Sequence, residues 1–185
     1  MRRWIGLALA ATLVAPAVWS GELAGVTMPD EVTVSDATLV LNGMGVRKKL
    51  WVKVYVGGLY LGERTGSLDK ALAAEGPKRV VMHFLTNKAK KSKMDAAWEE
   101  GFEGNSSDQL DAFRGRLEEF KTFFGDMKVG DVAEVDILPG EGTRVTINGQ
   151  EKGVIQGDDF AQGVLRLWLG PVPPSEDLQK GMLSK

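Results

Sequence analysis

Alternation of apolar and polar positions is the main signal in the chain after residue 30. Segment 31–46 alternates with a period of two, and turn residues at 35–36 and 42–43 divide it, so the pattern predicts two strands. Residues 78–86, "KRVVMHFLT", predict another strand by their β-branched and aromatic content. The first half of the chain is therefore expected to be mostly sheet.

Between these segments, residues 50–56 show a second kind of alternation. The even positions from Leu50 to Val56 are all aliphatic, whereas the odd positions are Trp51, Lys53 and Tyr55. Since successive side chains of a strand point to opposite faces, this pattern predicts a strand with one core face and one amphipathic face.

After residue 90 the apolar spacing becomes helical. The segment "SKMDAAWEEGF" predicts a helix with Ser92 as its N-cap, and residues 106–124 predict a second helix with a capping box formed by Ser106 and Gln109. The second helix carries one continuous apolar stripe. Its members are Leu110, Phe113, Leu117, Phe120 and Phe124.

Strand patterns return over 131–156, where Asn148-Gly149 is a strong hairpin signal. A helix is then predicted from a cap at Asp158 until Gly170 and Pro171 stop it, and a short helix is predicted from Ser175 to Leu183. Strands, two helices, three strands and terminal helices predict an α+β fold, with an antiparallel sheet covered by helices.

The first 20 residues have the features of a secretory signal peptide. Two arginines precede a short apolar run from Trp4 to Val14, and small residues precede the expected cleavage after Ser20, with Ala17 as the alternative site. A membrane anchor is the competing interpretation, but the run is short for a span of about 20 residues. We expect export to the periplasm or beyond, leaving one domain over residues 21–185.

Composition excludes several classes of function. Removing Arg2 and Arg3 from the 23 basic residues leaves 21 against 25 acidic ones, a net charge of −4, so no nucleic-acid partner is expected. The chain has no cysteine and one histidine, which rules out thiolate or multi-histidine metal sites and makes a Ser/His/Asp nucleophile implausible. No cofactor is expected. Membrane association is not indicated, and the oligomeric state stays open.

Arg47 is the unusual residue of the chain, because it stands beside a run that favours burial. A buried guanidinium is costly unless something anionic or rich in acceptors meets it. One interpretation is that Arg47 binds loop carbonyls and Tyr55 packs as an ordinary sheet aromatic. The other is that both residues face a ligand.

Three segments carry a resemblance to a known family. The stretches "LNGMGVRKKLWVKVYVGGLYL", "SKMDAAWEEGF" and "VTINGQEKGVIQGDDFAQGVLRLWLG" together resemble the bacterial chalcone isomerase-like proteins over about 28–183. The resemblance implies an open-faced β-sandwich, in which a large antiparallel sheet has helices layered on one face and a ligand cleft lies between them.

Two branches of this family differ in their site residues. Plant chalcone isomerases use an arginine, a threonine, a tyrosine and an asparagine, and the matching positions here are Arg47, Tyr55, Lys90 and Ala97. Three of these four differ, so isomerase activity is not expected. The plant fatty-acid-binding relatives pair the arginine with a tyrosine, which implies that Arg47 and Tyr55 hold a carboxylate here.

The sequence sets one geometric condition on this site. Eight residues along a straight strand would separate Arg47 from Tyr55 by about 26 Å, so the chain must turn near Lys48-Lys49. The resemblance favours a non-catalytic binder of fatty acids or similar apolar carboxylates. The alternatives are an enzyme using the same cleft, and a scaffold protein whose cleft is filled by its own rings. The candidate cleft-lining rings are Trp51, Trp98, Phe102 and Phe113.

Overall fold

The structure is a computed structural model that describes residues 20–184. The expected signal peptide, apart from Ser20, therefore lies outside the described residues. Within residues 20–184, none of the helices has both the length and the apolar character needed to cross a membrane.

Nine strands form in the described part of the chain. They are β1 (Ser20–Leu23), β2 (Val26–Pro29), β3 (Glu31–Val34), β4 (Ala37–Lys49), β5 (Val52–Leu61), β6 (Lys78–Phe84), β7 (Val132–Leu138), β8 (Gly142–Ile147) and β9 (Gln150–Gln156). Strands β3 to β9 make one antiparallel sheet in chain order, and β1 and β2 make a separate hairpin. Within the seven-stranded sheet each strand pairs with its neighbours in sequence, so the sheet is an antiparallel meander with helices inserted after β5 and after β6.

The helices lie at three places along this meander, after β5, after β6 and after the last strand, β9. They are α1 (Leu68–Ala73), α2 (Lys91–Asn105), α3 (Leu110–Thr122), α4 (Asp158–Leu169) and α5 (Glu176–Met182), with a short 3-10 turn at Ser107–Gln109 before α3. Helix α4 packs against β7, β8 and β9 and against α2, while α5 packs on β4 and β5. The main hydrophobic core lies between these helices and one face of the sheet. This is the α+β, open-faced arrangement that the sequence predicts.

The opposite face of the sheet has a smaller apolar cluster and a buried ion network. The β1–β2 hairpin covers the cluster through Val26 and Met28. Beside it Asp136 is buried and accepts hydrogen bonds from Arg79 and from Arg144. One sheet face therefore supports the main core, and the other is partly polar.

The predicted turns have different outcomes. Residues 35–36 do connect β3 and β4, and both Asn148 and Gly149 have positive φ angles, of 52° and 75°, as a tight hairpin turn requires. The turn predicted at 42–43 is wrong. Asn42 lies inside β4 at a shift in register, and its amide is fixed by the Met182 carbonyl at 2.7 Å and the Thr65 N–H at 2.7 Å.

The predicted helix caps are also corrected. Helix α2 begins one residue before Ser92, with Lys90 as its N-cap, and Ser106 makes no capping hydrogen bond because a 3-10 turn precedes α3. Leu50, predicted in a strand, lies in the turn between β4 and β5. The apolar stripe of the second helix is confirmed, since Phe113, Leu117, Phe120 and Phe124 are buried and Leu110 is partly buried.

Candidate functional site

The β4–β5 hairpin brings Arg47 and Tyr55 side by side. The chain turns at Leu50 and Trp51, and Arg47 and Tyr55 are direct partners across the two strands. The Cζ atom of Arg47 lies 5.7 Å from the centroid of the Tyr55 ring. The predicted return of the chain after Lys48-Lys49 is therefore confirmed, and the expected separation on a straight strand does not arise.

Direct pairing across the strands determines the face on which Arg47 and Tyr55 lie, and a shift in register follows the pair. The ladder slips between Arg47 and Lys48, so Lys48 pairs with Lys53. Cross-strand partners point to the same face of a sheet, and Tyr55 belongs to the core beneath the helices. Arg47 and Tyr55 thus share the face that the helices cover.

Both residues line a cavity of about 250 Å³ between the hairpin, α2, α4 and the segment after α4. Its polar side chains are Arg47, Lys49, Tyr55 and Glu100. Its remaining wall is mostly apolar and consists of Met94, Ala97, Trp98, Gly101, Leu167, Val172, Pro173 and Pro174. A mostly apolar cavity with a few polar side chains has the composition of a ligand site.

Arg47 has no anionic partner among residues 20–184. It is half-buried, and among the described residues no hydrogen bond or ion pair engages its guanidinium, which lies over the Tyr55 ring. The hypothesis that Arg47 binds loop carbonyls is therefore not supported, since its guanidinium donates to no carbonyl among residues 20–184. A guanidinium has five donors, so a carboxylate in the cavity could accept two of them at once.

Tyr55 is buried, with 2% of its surface exposed, and its ring packs edge-on against Phe84 at 5.6 Å. The Nε1–H of Trp168 donates a hydrogen bond of 3.0 Å to its hydroxyl oxygen. Burial raises the pKa of the Tyr55 phenol, and the nearby Arg47 and the Trp168 hydrogen bond only partly oppose this. The phenol therefore keeps its proton at neutral pH, and within residues 20–184 that proton is donated to no acceptor.

Of the four aromatic residues predicted to line the cleft, only Trp98 lines this cavity. The Nε1 atom of Trp98 is buried without a hydrogen-bond partner among the described residues. Trp51 is 85% exposed in the hairpin turn, so its placement in the cleft is corrected. Phe102 and Phe113 are also corrected, because they pack in the core with Phe160 rather than against the cavity.

Of the two positions matched to the isomerase tyrosine and asparagine, one lies in the cavity and the other does not. Ala97 lines the cavity, where its methyl group offers no hydrogen bond. Lys90 is exposed and forms an ion pair with Asp126 at 2.8 Å. Of the groups expected in an isomerase site, only the arginine lies in this cavity with its character unchanged.

Sequence reasoning missed several residues of the cavity. Met94 and Leu167 fit apolar helical patterns that predict only burial, yet the same helical faces that pack inward also border the cavity. Lys49, Glu100 and Pro173 gave no signal, because a charged residue on a helix or hairpin usually lies in solvent and a proline usually marks a loop.

Among residues 20–184 no cluster of three histidine, cysteine, aspartate or glutamate side chains could hold a metal ion.

Comparison with known proteins agrees with this architecture. The model of the chalcone isomerase-like family matches residues 20–184, so the chain belongs to the chalcone isomerase-like family. A crystal structure of a fatty-acid binding protein from Arabidopsis thaliana is similar in fold, with a TM-score of 0.71 and 16% sequence identity. The match covers 89% of this chain and 96% of that one. No curated protein sequence matches the chain.

Proposed function

We propose that this protein binds a fatty acid or a similar apolar carboxylate, without catalysis, in the cavity beside Arg47 and Tyr55. The observation that carries the proposal is the half-buried guanidinium of Arg47, which meets no anion of the described chain and borders an apolar cavity. The Arabidopsis structure of the same fold is a fatty-acid binding protein, which agrees with this assignment.

The charges around the cavity favour an anionic head group. Arg47 and Lys49 contribute two positive charges, and Glu100 contributes one negative charge. A carboxylate would accept two hydrogen bonds from Arg47, and the free proton of Tyr55 supplies a further donor. Hydrogen bonds to charged groups each contribute about 1.5–3 kcal/mol net, so the head group alone gives orientation and moderate affinity.

The cavity volume limits the ligand's tail. About 250 Å³ is below the ~300–1,000 Å³ typical of small-molecule pockets. A cavity of this size favours a short apolar tail over a long one, and each CH₂ that it buries contributes about 0.8 kcal/mol. Medium-chain acids are therefore the best probes, and longer tails would extend beyond the cavity.

The scaffold hypothesis has less support. It requires the cleft to be filled by the chain's own rings, but Trp51 is in solvent and Phe102 and Phe113 pack elsewhere. A cavity remains next to Arg47, which no anion of residues 20–184 meets, and this favours a binding protein.

The first prediction concerns the head group. We expect Arg47→Ala to weaken the binding of decanoate by about 1.5–3 kcal/mol, because it removes the charged donor of the cavity. Arg47→Lys should keep part of the affinity, since an ammonium is cationic but lacks the bidentate fork. Titration calorimetry on the purified protein measures both, and thermal unfolding with and without decanoate gives an independent readout.

Glu100→Gln is the matched control, because it changes a charge in the same cavity in the opposite sense. Removing this carboxylate should leave decanoate binding unchanged or make it tighter. If neither calorimetry nor thermal unfolding detects binding of decanoate or its homologues from octanoate to palmitate to the wild type, the proposal is wrong. Equal affinity of wild type and Arg47→Ala would reject the head-group assignment.

A second prediction concerns export. We propose that residues 1–20 direct the chain out of the cytoplasm and are removed, which rests on the arginine pair, the short apolar run and the small residues before Gly21. N-terminal sequencing of protein from a cell-envelope fraction should then begin at or near Gly21. An intact Met1 on the exported protein would contradict this proposal.

A further inference from the structure

The end of the β4–β5 hairpin exposes two large apolar side chains to solvent. Leu50 is 81% exposed and Trp51 85%, more than any other large hydrophobic residue in 20–184. Leu50 also has a φ of 57°, a left-handed conformation that normally selects glycine or asparagine. An exposed leucine held in an unfavourable backbone conformation contributes nothing to the core, which points to a role outside the fold.

The same hairpin end is strongly basic. Residues 37–62 contain Arg47, Lys48, Lys49 and Lys53 and no acidic residue, although residues 21–185 have a net charge of −4. The three lysines are exposed, and in the described part of the chain none of them forms an ion pair. A local excess of positive charge therefore surrounds the two exposed apolar side chains.

We propose that the hairpin tip, residues 48–53, docks on the surface of an anionic phospholipid bilayer. Tryptophan is enriched at membrane–water interfaces, where its ring lies among the head groups. The neighbouring lysines would contact lipid phosphates, and lysine side chains reach such groups while their aliphatic parts stay apolar. Leu50 and Trp51 would enter the interface together, because they are adjacent at the end of the turn.

A bilayer fits this surface better than a folded protein does. A stable protein interface needs about 800 Å² on each partner, usually around a well-packed centre. The hairpin tip offers only two projecting apolar side chains and a ring of cations. That combination of shallow apolar insertion and positive charge is sufficient for a membrane surface.

The hairpin tip adjoins the cavity, so docking would allow the ligand to pass between bilayer and cavity. This inference rests on the proposed function. Lys49 belongs to the hairpin tip and also lines the cavity, together with Arg47 and the segment Val172–Pro174, of which Val172 is exposed. Docking would bring the cavity lining next to the lipid head groups. An apolar acid could then move between bilayer and cavity without carrying its tail through water, where each exposed CH₂ is unfavourable.

The test measures co-sedimentation of the full chain, in the form that the cell accumulates, with two kinds of vesicle. One is phosphatidylcholine alone, and the other contains about one third phosphatidylglycerol to supply negative charge. We expect at least tenfold tighter binding to the anionic vesicles, decreasing as salt is added. The double variant Trp51→Ser with Lys53→Gln should lose about tenfold or more, since one lysine near an anionic surface alone accounts for about fivefold.

The matched control changes one lysine and one exposed apolar residue at the far edge of the sheet. Lys152→Gln with Val154→Ser, both on β9, should bind the vesicles within about twofold of wild type. Leu50→Asn is a further variant that suits the left-handed backbone, so it should weaken vesicle binding without lowering the unfolding temperature. All proteins carry the same N-terminal residues, so any binding through those residues cancels.

Fluorescence locates the contact independently. Trp98 and Trp168 are buried, so the difference in emission between wild type and Trp51→Phe isolates Trp51. That difference should shift to the blue with anionic vesicles and be quenched by lipids brominated on their acyl chains.

Separate readouts distinguish this proposal from the proposed function. Arg47→Ala should bind anionic vesicles nearly as wild type does while losing decanoate affinity, whereas Trp51→Ser with Lys53→Gln should do the reverse. The docking proposal is overturned if wild type binds neither kind of vesicle, or if the β9 control loses as much binding as the hairpin variant. It is also overturned if the hairpin variant changes only the oligomeric state, since the hairpin tip would then contact a second copy of the chain.

Discussion

Asp136→Ala is expected to lower the free energy of unfolding by about 3–5 kcal/mol, the usual cost of removing one partner from a buried ion network. Asp136 is 1% exposed and accepts hydrogen bonds from Arg79 at 2.6 and 2.9 Å and from Arg144 at 3.2 Å. Without its carboxylate, two guanidinium groups on the sheet lose their shared acceptor. Urea denaturation followed by tryptophan fluorescence measures the loss.

An exposed ion pair in the same chain provides the control. Asp111 pairs with Arg114 at 2.9 Å, but its side chain is 97% exposed, so Asp111→Ala should cost less than about 1 kcal/mol. Glu134 still pairs with Arg79 in the Asp136 variant, which favours the lower end of the expected range. If Asp136→Ala and Asp111→Ala cost the same, the buried network does not stabilise the sheet.

This prediction also separates the two faces of the sheet. Asp136 alternates along β7 with Val135 and Ile137, which belong to the core beneath the helices, so Asp136 lies on the face away from the cavity. We therefore expect Asp136→Ala to retain the decanoate affinity of wild type at temperatures where the variant remains folded.

Local periodicity was sufficient to predict most of the sheet and the long helices. The stripe that includes Phe113, Leu117 and Phe120 is buried because it follows the helical period, and Asn148-Gly149 turns the chain because both residues tolerate positive φ. These features depend on neighbours along the chain, so a single sequence contains the necessary information.

Short elements gave weaker signals. Helix α1 has six residues and one side-chain cap, from Ser67, so too few apolar positions repeat for its period to be recognised. The β1–β2 hairpin has strands of four residues each. Their stability depends on packing against the sheet, which local pattern does not contain.

The candidate site could be predicted only in part, because the positions of some of its expected residues depend on tertiary contacts. Arg47 and Tyr55 could be selected from the sequence, because a cation beside a buried run needs a reason and a family resemblance supplied one. The positions of Trp51 and Phe102 could not be derived. Trp51 is exposed because the turn falls at residues 50–51, and Phe102 is in the core because α4 covers it with Phe160. Both outcomes follow from how distant elements meet.

Gly45→Val is expected to destabilise the protein by about 3 kcal/mol or more, at the upper end of overpacking effects. Helix α5 lies directly on β4 at this position. A Cβ atom on Gly45 would lie 2.7 Å from the Cα of Leu178 and closer still to the Leu178 carbonyl oxygen. Backbone atoms cannot rotate away as a side chain can, so either α5 or β4 must move. Urea denaturation measures the effect, and Gly45→Ala should give a smaller change in the same direction.

The same substitution should reach the cavity through α5. The Gln179 side-chain amide of this helix donates hydrogen bonds to the carbonyls of Trp168 and Gly170, at 3.2 and 2.8 Å, just before the cavity-lining residues Val172 and Pro173. Displacing α5 would free this segment, so decanoate affinity should fall together with stability. Gly62→Val is the control, because a Cβ at Gly62 meets no atom within 4 Å. If the two valine variants have equal unfolding midpoints and equal decanoate affinity, close contact of α5 with β4 is not what maintains the cavity.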